Sequence, residues 1–197
     1  MANQDAPFGF RQVGGLGSRP TSEGTSKYTI LSGFADSIFA GDIVEAGAGT
    51  SENGTSITAG YVGNAAATSS SRNLGIFNGC FYTDPTTAKP TFKNYWPASV
   101  AAEAQAFVYD NPDDLFEVQT SGTLAQTVAS RGNDMAYTAG STINGRSKEE
   151  ITGAAVGGGQ FTMIRKSEDP SNTDLSTANS NWIVKFNLHV YYNYTNT

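Results

Sequence analysis

A nucleophile–histidine–acid relay needs an imidazole, and this chain has a single histidine, His189. Around it Trp182, Val184, Phe186, Leu188, Val190 and Tyr192 alternate with Ile183, Lys185, Asn187, His189 and Tyr191. His189 falls on the less apolar of those two faces, where a solvated or inter-strand imidazole is expected rather than a general base. The single cysteine, Cys80, stands between Gly79 and Phe81 in an apolar run. It is expected to be a small buried hydrophobe, and one cysteine can form neither an intrachain disulfide nor an intrachain zinc site.

The glycine runs invite a phosphate-loop reading. Neither Gly14-Gly-Leu-Gly17 nor the stretch Gly153-Ala-Ala-Val-Gly157-Gly-Gly159 ends in the Gly-Lys-Ser/Thr that would place a lysine and a magnesium ligand. Both read as connectors. Asp110, Asp113, Asp114 and Glu117 gather hard oxygens within eight residues. Their spacing does not match a calcium loop and Pro112 interrupts it, so solvated acids around a turn are expected. Two acids can meet from anywhere in a fold, which leaves paired-carboxylate hydrolysis open, but no pair is singled out. The expectation is a protein that is not an enzyme, with no catalytic residue, no metal and no cofactor.

Charge narrows the partners. Twelve basic against 18 acidic residues leave a net of −6, with no dense cluster of Lys and Arg. Polyanions are repelled on average, so neither nucleic acid nor an anionic membrane is an expected partner. Charged residues make up only 15%, and Gly alone numbers 22, a composition that favours strands joined by many turns. No signal-peptide pattern and no apolar run of transmembrane length is visible, so synthesis in a reducing cytoplasm and solubility are expected. The glycosylation patterns at Asn53 and Asn193 are then chance matches.

The elements that would position these residues are short strands. Residues 1–26, with Pro7, the Phe8-Gly-Phe10-Arg11 group and Pro20, lack both periodicities and read as an extended N-terminal arm. A single β-rich domain is expected over residues 27–197. Its strands are placed at 28–31, 38–45 (broken at Gly41-Asp42), 57–62, 74–82, 104–109, 115–120, 160–165 and 181–192. Asp110-Asn-Pro112-Asp113 forms a turn, and helical turns are expected only at 99–103 and 147–151. The pattern implies an all-β barrel or sandwich. Within the arm Phe8, Phe10 and Arg11 are the candidate contact residues, since aromatics and Arg are enriched at binding hot spots.

Three stretches carry a resemblance. The opening Met1-Ala-Asn-Gln-Asp-Ala-Pro-Phe8-Gly-Phe10-Arg11 resembles the start of small structural proteins of tailed phages of aquatic bacteria. Phe39-Ala-Gly-Asp42-Ile-Val44 with Leu74-Gly-Ile-Phe-Asn-Gly79-Cys-Phe-Tyr82 is similar to phage head-decoration (cement) proteins. The stretch from Trp96-Pro97 to Val108-Tyr-Asp-Asn-Pro112 and Leu115-Phe-Glu-Val-Gln119 resembles the same proteins. The resemblance spans roughly residues 1–120 and implies a β-barrel of the β-tulip kind, with a jelly-roll sandwich as the alternative. It also implies a trimer at local threefold axes of the capsid, with the major capsid protein as partner and the virion exterior as location. A tail or receptor-binding module of the virion is the alternative function.

Overall fold

The computed structural model describes residues 2–18, 24–47, 49–51, 53–67, 73–153 and 158–191. The fold is all-β, 43% strand against 3% helix, and is built from antiparallel sheets. One sheet has five strands in the order β1 (Arg11–Gly15), β12 (Asp114–Gln119), β17 (Asn181–Phe186), β16 (Phe161–Lys166), β13 (Gly132–Asn133). The other runs β2 (Ser26–Ile30), β11 (Ala104–Tyr109), β8 (Asn73–Thr83), β4 (Ile43–Ala46), β7 (Val62–Asn64), with β9 (Pro90–Lys93) paired to the far half of β8. Three two-stranded ribbons complete the fold: β3 (Ile38–Phe39) with β10 (Tyr95–Trp96), β5 (Gly49–Thr50) with β6 (Ser56–Ile57), and β14 (Met135–Ala136) with β15 (Glu150–Ile151). Among the described residues no helix is long and apolar enough to cross a membrane.

Two apolar clusters hold these layers. Phe116, Val118, Phe161, Met163, Trp182 and Val184 of the five-stranded sheet meet Ile43 and Ile76 of the six-stranded sheet in the first. On the opposite side of the six-stranded sheet, Leu74, Phe77, Cys80, Ala106 and Val108 pack with Phe34, Ile38 and Trp96 in the second. The central strand β8 serves both clusters because its register shifts twice, once against β4 and once against β11. Each bulge breaks the period of two: Leu74 and Ile76, two apart, enter different clusters, whereas Phe77 and Cys80, three apart, enter the same one. Gly79, at φ +120°, lies in the second bulge.

Residues 2–15, expected as an arm, lie against the chain's own sheets. β1 adds an edge to β12 in the register Arg11↔Glu117, and Asn3 donates to the carbonyls of Asp174 and Ala178, both at 2.8 Å. Phe10, expected as a contact residue, is 3% exposed and stacks on Phe161 with centroids 4.6 Å apart. Burying a ring of that size is favourable by roughly 2–3 kcal/mol, enough to hold the segment down. The strands therefore begin at Arg11 with β1, before the Lys27 at which the β-rich part was expected, and β2 follows at Ser26.

Other expectations need correction. The strand expected over 181–192 ends at Phe186, because the N–H groups of Asn187 and Leu188 both turn to the Gln160 carbonyl (2.8 and 3.1 Å). The chain then crosses to the other sheet, where Val190 donates to the Asn73 carbonyl at 2.9 Å. The run 57–62 is two short strands separated by a turn at Thr58–Tyr61 rather than one. The helical turns expected at 99–103 and 147–151 are absent; Glu150–Ile151 is strand, and the described 3₁₀ turns lie at Leu16–Ser18 and Gln126–Val128. Most of the glycine stretch 153–159, and Tyr192 onward, lie outside the described residues.

A polar network is buried where β3 turns into β4. Asp42 closes the turn, its carboxylate accepting the Phe39 N–H at 2.7 Å and a hydrogen bond from the Ser147 side chain. Ile43 donates to the Glu149 carboxylate at 2.9 Å, and Glu149 N–H donates to Ser147 Oγ at 3.0 Å. All three side chains are buried. Burial disfavours the charged form and lifts Asp42 to about 7, against those hydrogen bonds.

Candidate protein-binding site

β11 carries small side chains inward, Ala104, Ala106 and Val108, and larger ones outward, Gln105, Phe107 and Tyr109. The outward set faces Thr29 and Lys27 on β2 and Phe81 on β8, and Phe81 in turn faces Phe92 on β9. The outer side of this sheet therefore presents three phenylalanines. Phe92 is 57% exposed and Phe81 40%. The Phe92 and Phe107 rings meet at 5.9 Å, and the Lys27 ammonium lies 6.0 Å from the Phe107 ring.

The second bulge of β8 makes room for this arrangement. A Cβ on Gly79 would come within 2.9 Å of the Phe92 ring and 3.0 Å of the Lys93 carbonyl, so the ring lies over a position that only glycine leaves open. Beside Phe81 a groove of about 290 Å³ is lined by Thr29, Thr83, Glu103 and Gln105.

Tyr109 extends the face into a cleft of about 210 Å³ between residues 8–12 and the six-stranded sheet. Phe8, Arg11, Asn78 and Arg146 line it, over a floor of Ile76, Phe77 and Gly41. The Arg11 guanidinium stands 5.0 Å from the Phe8 ring centroid and forms an ion pair with Glu117. That pair is the one ion pair among the described residues. The second Glu117 oxygen accepts from Ser167 Oγ at 2.5 Å.

Of the three residues picked out in the sequence, Phe8 and Arg11 meet at the surface and Phe10 lies in the core. Phe81, Phe92, Phe107, Tyr109 and Arg146 went unnoticed. One signal was available: in 104–109 the bulkier side chains occupy the parity opposite Ala104, Ala106 and Val108. An outward aromatic set beside an inward small set marks a strand with two apolar faces.

The remaining chemistry-bearing residues sit elsewhere. Cys80 is buried as expected, its thiol pushed up to about 12 by desolvation. His189 is 4% exposed rather than solvated. Its ring packs against Phe186 and Tyr191, its Nδ1 accepts the Tyr191 N–H at 3.2 Å, and burial lowers its pKa. Asp114 and Glu117, expected in solvent, are buried, with Asp114 held by Gln12 and Asn111. Among the described residues no three His, Cys, Asp or Glu side chains converge as a metal-binding group. No family model matches the chain, and no match was found among curated proteins or solved structures.

Proposed function

We propose that this chain is a non-enzymatic virion protein that binds the outside of a phage capsid as a decoration protein, with the major capsid protein as its partner. The observation that carries the reading is the exposed pair Phe81 and Phe92 with the half-buried Phe107 ring against Phe92, bordered by Lys27. Neighbouring aromatics, two of them exposed, beside a cation have the composition of a protein-contact hot spot, and strand pairing fixes the backbone that carries them. The resemblance of residues 1–120 to head-decoration proteins supplies the partner.

A trimer at local threefold axes follows from the same resemblance, each copy offering this face in turn. The finer fold reading is a barrel-like closure of the β-tulip kind. It follows from the same resemblance.

The test uses heads that lack the protein, incubated with wild type or with a Phe92→Ser/Phe107→Ser variant. Loss of the aromatic anchors should weaken capsid occupancy at least about tenfold while the circular dichroism stays unchanged. Equal occupancy refutes the reading, and labelling on the tail moves the chain to another virion part.

A further inference from the structure

The cleft differs chemically from the aromatic face it adjoins. Its floor is side-chain-free at Gly41, where a Cβ would come within 3.2–3.3 Å of the Phe8 carbonyl, Ser147 Cβ and the Phe10 nitrogen. Ile76 and Phe77 lie beneath it but are each only 1% exposed, so Phe8, Gln12, Asn78, Tyr109 and the arginines form its accessible wall. Two arginines line it, and they are not equivalent. Arg11 is committed to Glu117 and lies by the Phe8 ring, whereas Arg146 stands exposed on the loop 140–148 with no ion pair among the described residues.

We propose that this cleft receives a carboxylate-bearing side chain, a Glu or Asp on an extended segment of the protein partner, with Arg146 as its counter-charge. The assignment rests on the reading of the adjoining face as a protein contact. A planar carboxylate matches one guanidinium in a two-point hydrogen-bonded pair. A nucleic-acid backbone needs several cations in a row, and the net charge of −6 opposes it. The same net charge repels an acidic segment everywhere except at a local cationic cleft, so the pair sets where such a segment docks.

The experiment is an NMR titration of the full chain with the acetylated, amidated tripeptide Leu-Glu-Leu, its Leu-Gln-Leu counterpart, and inorganic phosphate. The Glu peptide should shift the amides of Gly41 and Asn78 and the Arg146 side chain saturably. The Gln peptide should bind at least about tenfold more weakly, as should the Glu peptide to Arg146→Gln, and added salt should weaken the wild-type complex. Equal binding of both peptides, unchanged binding to Arg146→Gln, or no shift with either peptide overturns the proposal. Phosphate binding as tight as the Glu peptide overturns the carboxylate assignment in favour of a general anion site. Capsid occupancy by wild type is scored separately, so a decoration reading that fails leaves the peptide result standing, and the reverse.

Discussion

Replacing Asp42 with Asn should flatten the dependence of stability on pH. The unfolded side chain titrates near 3.8, and the buried one near 7. Between those values the folded state holds a proton that the unfolded state has lost. Stability is therefore fully present below about pH 4, falls as pH rises, and levels off above 7. The interval is about 3 pH units, and at about 1.4 kcal/mol for each the whole effect approaches 4 kcal/mol. From pH 5 to pH 8 roughly 3 kcal/mol of it is traversed, or a fall in Tm of roughly 5–10 °C for a chain of this size. Asn keeps an acceptor for the Phe39 N–H and needs no proton, so Asp42→Asn should match wild type near pH 5 and exceed it near pH 8. His189 opposes this trend, since a histidine with a lowered pKa loses its stabilising effect as pH falls; Asp114 and Glu150, both raised by burial, reinforce it. Those groups are common to both proteins and cancel in the difference. The assay is thermal unfolding of both proteins across pH 5–8. A gap between their Tm values that stays constant over that range refutes the reasoning.

Phe10→Ala should destabilise the fold by about 3–5 kcal/mol in urea unfolding, because it empties a buried site stacked on Phe161; a loss under about 1 kcal/mol would return residues 2–15 to the status of a free arm. The Cys80 thiol should resist an aromatic disulfide reagent in the native protein and react at once in denaturant, since it is buried and its pKa stands near 12. Stoichiometric labelling of the native protein would overturn that placement.

Much of the fold was legible where a strand keeps its own alternation unbroken. Residues 104–109 match β11, and the break at Gly41-Asp42 and the turn at Pro112 fall where the local chemistry puts them. Failures came where tertiary partners override the local pattern. Arg11-Gln-Val-Gly-Gly15 has no alternation and becomes a strand only because β12 offers an edge. Residues 187–191 keep the alternation yet leave the strand, because one carbonyl, that of Gln160, captures two successive N–H groups. The candidate site was half legible for the same reason. Phe8 and Arg11 are neighbours in the chain, but Phe81, Phe92 and Phe107 meet only through strand pairing, and Arg146 reaches the cleft from a distant loop.

The docking of residues 2–15 sets an order of events during synthesis. Asn3 bonds to Ala178, 175 positions later, and Phe10 rests on Phe161. At roughly 5–20 residues per second on the ribosome, the first of these contacts waits roughly 10–35 s for its partner to be made. Phe10 is bare until Phe161 is made, and β1, synthesised well before β12, has no edge of its own chain to pair with until β12 emerges. Of two nascent chains on one message, the trailing one would carry a loose β1 while the leading one already offers a β12 edge that fits it. Exchange between them competes with closure within one chain, so yield should fall with translation density before any property of the finished fold is altered.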